Sequence, residues 1–113
     1  SALGGMADAQ RYRDAHMARA LADAASLHGH AVLLAGNGHV HRDRGVPWHL
    51  ARFAPDIPAV SVLYLEVVEA KRAPSDYMNR TSGGADAAAD VIVFTPRALR
   101  TDPCIAMRKR FGR

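Results

Sequence analysis

The sequence predicts an α/β chain: a small parallel-sheet layer of about three strands with covering helices, reading as the C-terminal part of a larger α/β domain. Three observations carry this. Residues 7–28 hold no Gly or Pro and are rich in Ala, Leu, Arg and Met. Short, nearly continuous apolar runs fall at 31–35, 59–68 and 91–94. Helical and strand patterns alternate, which favours parallel pairing with helices laid on the sheet.

The elements follow in order. In residues 7–28, Arg13, Met17, Ala20, Leu21, Ala24 and Leu27 fall on one stripe at helical spacing, with Met17, Leu21 and Ala24 expected to pack on the sheet. Gly29 stands where a helix-ending glycine belongs. Residues 31–35 (AVLLA) are too few for a useful helix and read as a buried strand feeding the turn Gly36-Asn37-Gly38-His39. Pro47 suits the first turn of a second, short helix with Trp48, His49, Leu50 and Phe53. Pro55 and Pro58 stop it, and Ala59 to Val68 forms a second strand. Residues 71–90 mix Pro, Ser, Gly, Asp and Asn without period, so they read as a loop-rich segment with room for a helical turn. Val91 to Phe94 is the third strand, ended by Pro96, and 97–113 is a basic C-terminal tail.

The chain, 1–113, reads as a single domain or a partial one. Parallel strands need cover on both faces and the helices are few, so a homo-oligomer or a missing N-terminal half is expected to supply it. The net charge of +4 comes from the end of the chain, where Arg108, Lys109, Arg110 and Arg113 cluster. No aromatic residues interleave with a basic face and no helix-turn-helix or zinc-finger spacing appears, which argues against nucleic acid as a partner. One cysteine, Cys104, excludes an internal disulfide. No stretch approaches the roughly 18 apolar residues of a membrane helix.

The turn after the first strand is the candidate site, because open α/β sheets place ligands outside the carboxyl ends of their strands. Gly36 and Gly38 are expected to be there for backbone reasons, a positive dihedral or a close approach. A dinucleotide fingerprint is one reading of Gly-x-Gly, but His41 stands where the third glycine belongs. A metal site is another: His39, His41 and Asp43 alternate, so an extended backbone points all three the same way. The plainer reading is that these polar side chains solvate a loop.

The string GNGHVHRDRGVP, preceded by RDAHMARAL and followed by VIVFTPRALRTDPC, resembles the C-terminal half of the ChaN-like haem-binding uptake family of the Tiki superfamily. That superfamily also takes in TraB-like proteins and is related to erythromycin esterases. The family's helix motif matches Arg13, Asp14, Met17 and Ala18; its turn matches Gly36 to His39; its basic stretch matches Arg42 and Asp43; its close matches Gly45, Val46 and Pro47. Two departures stand out: His41 occupies a position where the family usually has Arg, and the family's G-E-x-H-like segment on an early strand is absent.

The resemblance implies a haem- or iron-binding lipoprotein of an iron-uptake system, periplasmic or anchored at the outer membrane, with haem as cofactor and a divalent metal as the other possibility. It implies a site built from Asn37, His39, His41, Arg42, Arg13 and Asp14, with His39 as the metal ligand. Haem wants an apolar wall, an axial side chain and cations for its propionates. Besides the histidines, Tyr64, Tyr77 and Met78 could be ligands, and Arg44 could join Arg13 and Arg42 at the propionates. The wider superfamily leaves a metal-dependent hydrolase open, and a structural half-domain without activity is the third reading.

Overall fold

The computed structural model of the chain describes residues 1–78 and 88–112. Helix α1 runs Ala2–His28, starting ahead of the expected Ala7 because the Ser1 hydroxyl caps it, accepting from the Gly4 amide at 3.2 Å. It ends as expected: Gly29 takes the left-handed conformation at φ 81°, and its amide donates to Ala25 O.

The buried row of α1 is Asp14, Ala18 and Ala22, with Met17 and Leu21 beside it. Arg13, Ala20 and Leu27 are exposed and Ala24 is only half-buried, so the face is rotated from the expected stripe. The cause lies in the partner. Helix α2, Val46–Phe53, with Pro47 in its first turn, presses Val46 and Leu50 against Ala18 and Ala22, where small side chains admit a close approach. Burying a Val or Leu side chain stabilises by about 1.5–3 kcal/mol.

Strand β1, Val62–Glu66, pairs in parallel with β2, Val91–Thr95, in the register Val62↔Val91 through Glu66↔Thr95. The α/β class and the parallel pairing agree with the sequence, but among the described residues the sheet has two strands, not three. Ala31 to Ala35 forms no helix or strand, and Leu33 packs on the α1–α2 core, while Val32 and Leu34 are 83% and 91% exposed. No backbone hydrogen bond is made by these five residues among the described ones. The edge of β1 away from β2 is met by a side chain, Asn37 Nδ2, which donates to Tyr64 O at 2.7 Å.

Within the 71–90 loop, α3 covers Ser75–Met78. Its Tyr77 is buried with its ring on Phe94, and its hydroxyl accepts from the Val68 amide at 2.8 Å. In the 97–113 tail, α4 spans Pro103–Phe111, capped by the Asp102 carboxylate. Residues 79–87 and Arg113, parts of the expected loop and basic tail, lie outside the described residues.

The glycine expectation is corrected. Gly29 is the only described glycine with positive φ; Gly36 is extended at φ −63° and ψ 153°, and a Cβ on Gly38 would meet nothing within 4 Å. The close approach is at Gly45, where a Cβ would run into His39 O and stand 2.9 Å from His41 O. The turn folds back on itself there, Gly45 N donating to His41 O at 2.8 Å. Gly45→Ala is therefore expected to destabilise the chain by at least about 2 kcal/mol in urea unfolding, whereas Gly38→Ala stays within about 0.5 kcal/mol. Equal losses at the two positions would refute this account of the turn.

Candidate functional site

The centre of the site is a contact between residues 25 apart in sequence: His39 Nδ1 stands 2.5 Å from Asp14 Oδ1. Asp14 is 2% exposed, sunk among the alanines of α1, whereas the His39 side chain is 24% exposed. An ionised carboxylate only accepts, so the proton in this contact sits on Nδ1. Nε2 is left as the ring's lone-pair atom, the geometry by which a carboxylate fixes the tautomer of a metal-binding histidine. Gln10, one turn before Asp14, brings its amide nitrogen 2.8 Å from Nδ1 and 3.3 Å from Nε2. The 2.8 Å contact alone would suit an unprotonated Nδ1, but the shorter, charge-assisted contact with Asp14 decides the proton's place. With Nδ1 protonated, Gln10 can donate only to Nε2, at the longer distance, and so stands over the atom a ligand would take.

His39 closes a 3₁₀ turn, Asn37–His39, its amide donating to Gly36 O at 2.9 Å. Asn37 ties the start of the turn to β1 through Tyr64 O. The next residues run to the amino ends of the strands. The Ser61 hydroxyl donates to Val40 O; Arg42 N donates to Ala88 O at 3.0 Å; the Arg42 guanidinium pairs with Asp90 at 2.9 Å. Asp90 also accepts from Ser61 N at 2.7 Å, and Ser61 O accepts from the amides of Asp90 and Val91.

Of the expected site residues, the structure brings His39 and Asp14 together. Arg42 is occupied by Asp90, Asn37 by the Tyr64 carbonyl, and Arg44 by Asp43 at 2.9 Å. Arg13 is exposed and makes no hydrogen bond or ion pair among the described residues. The alternation His39, His41, Asp43 does not converge: His39 turns to Asp14, while His41 Nδ1 lies 3.8 Å from Asp43 Oδ1, both atoms buried without a hydrogen-bond partner. No three His, Cys, Asp or Glu side chains are placed to hold a metal ion among the described residues. Tyr64 is exposed, the Tyr77 hydroxyl is engaged at Val68, and the Met78 side chain lies outside the described residues. Gln10, Ser61 and Asp90 were not expected at the site, and Gly45 was expected only as part of the Gly-Val-Pro close. Gln10 carried a signal, its four-residue spacing from Asp14; the pairing of Ser61 with Asp90 had none.

The family whose model matches is described as haem-binding uptake, Tiki superfamily, ChaN, and the match covers residues 1–50. Over that part the chain is similar to this family, and the match takes in α1 with Asp14 and the turn with His39; VIVFTPRALRTDPC lies beyond it. No curated protein and no solved structure matches the chain significantly.

Two outcomes follow. Asp90→Ala leaves Ser61 N and Arg42 without their acceptor and should cost about 1–3 kcal/mol in urea unfolding, while Arg13→Ala changes stability by less than about 0.5 kcal/mol. A silent Asp90→Ala would show that the Ser61, Asp90 and Arg42 contacts do not hold the turn. The second concerns pH. Burial, then the nearby Arg44 charge, hold the His41 pKa below its ordinary 6.5, against a smaller opposing pull from Asp43. The unfolded chain therefore takes up this proton first, so the contribution is complete above pH 6.5 and lost as pH falls below it. Stability should decline on acidification from pH 6.5, and His41→Asn should flatten the decline; a variant with the parent's slope would contradict the assignment.

Proposed function

We propose that the chain binds haem, or the iron it carries, with His39 Nε2 as the protein atom that would hold the iron and Asp14 as the group that holds the ring. One observation carries this reading: the 2.5 Å contact between a buried carboxylate and a partly exposed histidine inside the family-matched residues. Haem brings four nitrogens to its own iron and asks the protein for one or two ligands, so a single oriented histidine suits it. A hydrolytic metal usually asks for three protein ligands, and the described donors supply no such group. When bound, haem would supply the iron that His39 coordinates.

The surroundings fit this cofactor. Leu3 and Met6 are exposed on α1 at helical spacing before Gln10 and Asp14, continuing their face as an apolar wall. Gln10 swings aside to release Nε2. Arg13 is the cation left for a propionate, and Asn37, His41 and Arg42 support the turn. The wider role proposed, iron uptake in the periplasm or at the outer membrane, rests on the family match; no helix among the described residues is long and apolar enough to cross a membrane. The bare backbone of Ala31 to Ala35 supports a partner strand from a second copy or a further part of the protein.

Hemin titration followed by Soret absorbance tests the reading. His39→Ala should weaken binding by at least about tenfold, about 1.4 kcal/mol, and Gln10→Ala should bind hemin as tightly as the parent or tighter. A parent that does not bind, or a His39→Ala variant equal to it, would overturn the proposal.

A further inference from the structure

The last segment carries a charge pattern that the haem reading does not use. Between Arg97 and Gly112 stand Arg97, Arg100, Arg108, Lys109 and Arg110 against one carboxylate, Asp102, and all are exposed. Asp102 is committed to the Cys104 amide as the cap of α4, and Arg100 is paired with Glu66. Arg97, Arg108, Lys109 and Arg110 have no carboxylate partner among the described residues.

Apolar side chains are set among these cations. On α4, Cys104, Met107 and Phe111 follow the three- and four-residue steps of one helical stripe, and all three are exposed. At 100° per residue, Arg108 and Arg110 fall on opposite sides of that stripe. Arg110 leans toward it, its guanidinium 5.7 Å from the Phe111 ring centre. No described residue covers this face: every residue of α4 is exposed.

We infer that α4 docks the chain onto an anionic lipid surface, Arg108 and Arg110 at the level of the phosphates, Lys109 adding charge from the far side, and Met107 and Phe111 inserted below them. Charge complementarity selects the occupant. Long basic side chains keep their heads in the polar layer of a lipid surface while their stems cover apolar depth, which lets exposed Met107 and Phe111 between Arg108 and Arg110 enter the layer below. A polyphosphate such as duplex nucleic acid would satisfy the cations but leave Met107 and Phe111 facing water. The inference is independent of haem binding and of His39.

Co-sedimentation of the full chain with vesicles tests it, using phosphatidylcholine alone and phosphatidylcholine with about one third phosphatidylglycerol. The parent should bind the anionic vesicles at least about tenfold more tightly and come off in high salt. The combined variant Arg108→Gln, Lys109→Gln, Arg110→Gln should lose at least about tenfold of that binding. The pair Met107→Ser, Phe111→Ser should weaken it several-fold at unchanged charge. All five positions are exposed, so the variants should keep the parent's circular dichroism. A parent that pellets with neither vesicle, or binds both equally, would overturn the inference. So would a charge variant equal to the parent, a Met107 and Phe111 variant equal to the parent, or release of the parent from the vesicles by duplex DNA at matched phosphate concentration.

Discussion

The contact between Asp14 and His39 is the constraint on which the rest of the site depends. A buried carboxylate without a donor is costly, and His39 supplies the only hydrogen bond to the Asp14 carboxylate among the described residues. The depth of Asp14 is set in turn by Ala18 and Ala22, one and two turns further along α1, whose small side chains let Val46 and Leu50 of α2 close on the helix. Packing thus acts on chemistry through a short path: the alanine row seats α1, α1 buries the carboxylate, and the carboxylate decides which ring nitrogen of His39 keeps its lone pair.

The other side of the turn is held by the sheet. Asn37 reaches the free edge of β1, and beyond His39 the chain is clasped at the amino ends of both strands by Ser61, Asp90 and the Arg42 pair. The turn therefore bridges two units, the α1–α2 pair and the β1–β2 pair. Gly45 is what lets it fold tightly enough to do so, since any side chain there would run into the carbonyls of His39 and His41. Arg42 is better understood as part of this clasp than as a cation waiting for a ligand.

Much of this organisation was legible in the sequence where the cause was local. The end of α1 at Gly29, the start of α2 at Pro47 and the strand Val91–Thr95 follow from caps, fixed dihedrals and apolar runs. What was not legible depends on partners distant in sequence. The buried row of α1 could not be told from a neighbouring stripe until α2 was seen to lie on Ala18 and Ala22. Residues 31–35 have strand composition, yet composition does not say whether a ladder forms, and here a side-chain amide occupies the free edge of β1. Gly36 and Gly38 stand out in the sequence because they lead into the histidine, while the glycine under steric compulsion stands six residues after it. Asp14 was reached through family resemblance alone, as no spacing rule joins positions 14 and 39.

The central claim is that Asp14 holds the proton of His39 on Nδ1 and so presents Nε2 as the ligand atom. Long-range proton–nitrogen correlation of the His39 ring, in the full chain at about pH 8 where a free imidazole is neutral, tests it most directly. The account predicts a ring protonated at Nδ1 in the parent and a mixture of tautomers in Asp14→Ala. A parent ring protonated at Nε2 would contradict it, because His39 would then offer a ligand only the nitrogen already facing Asp14.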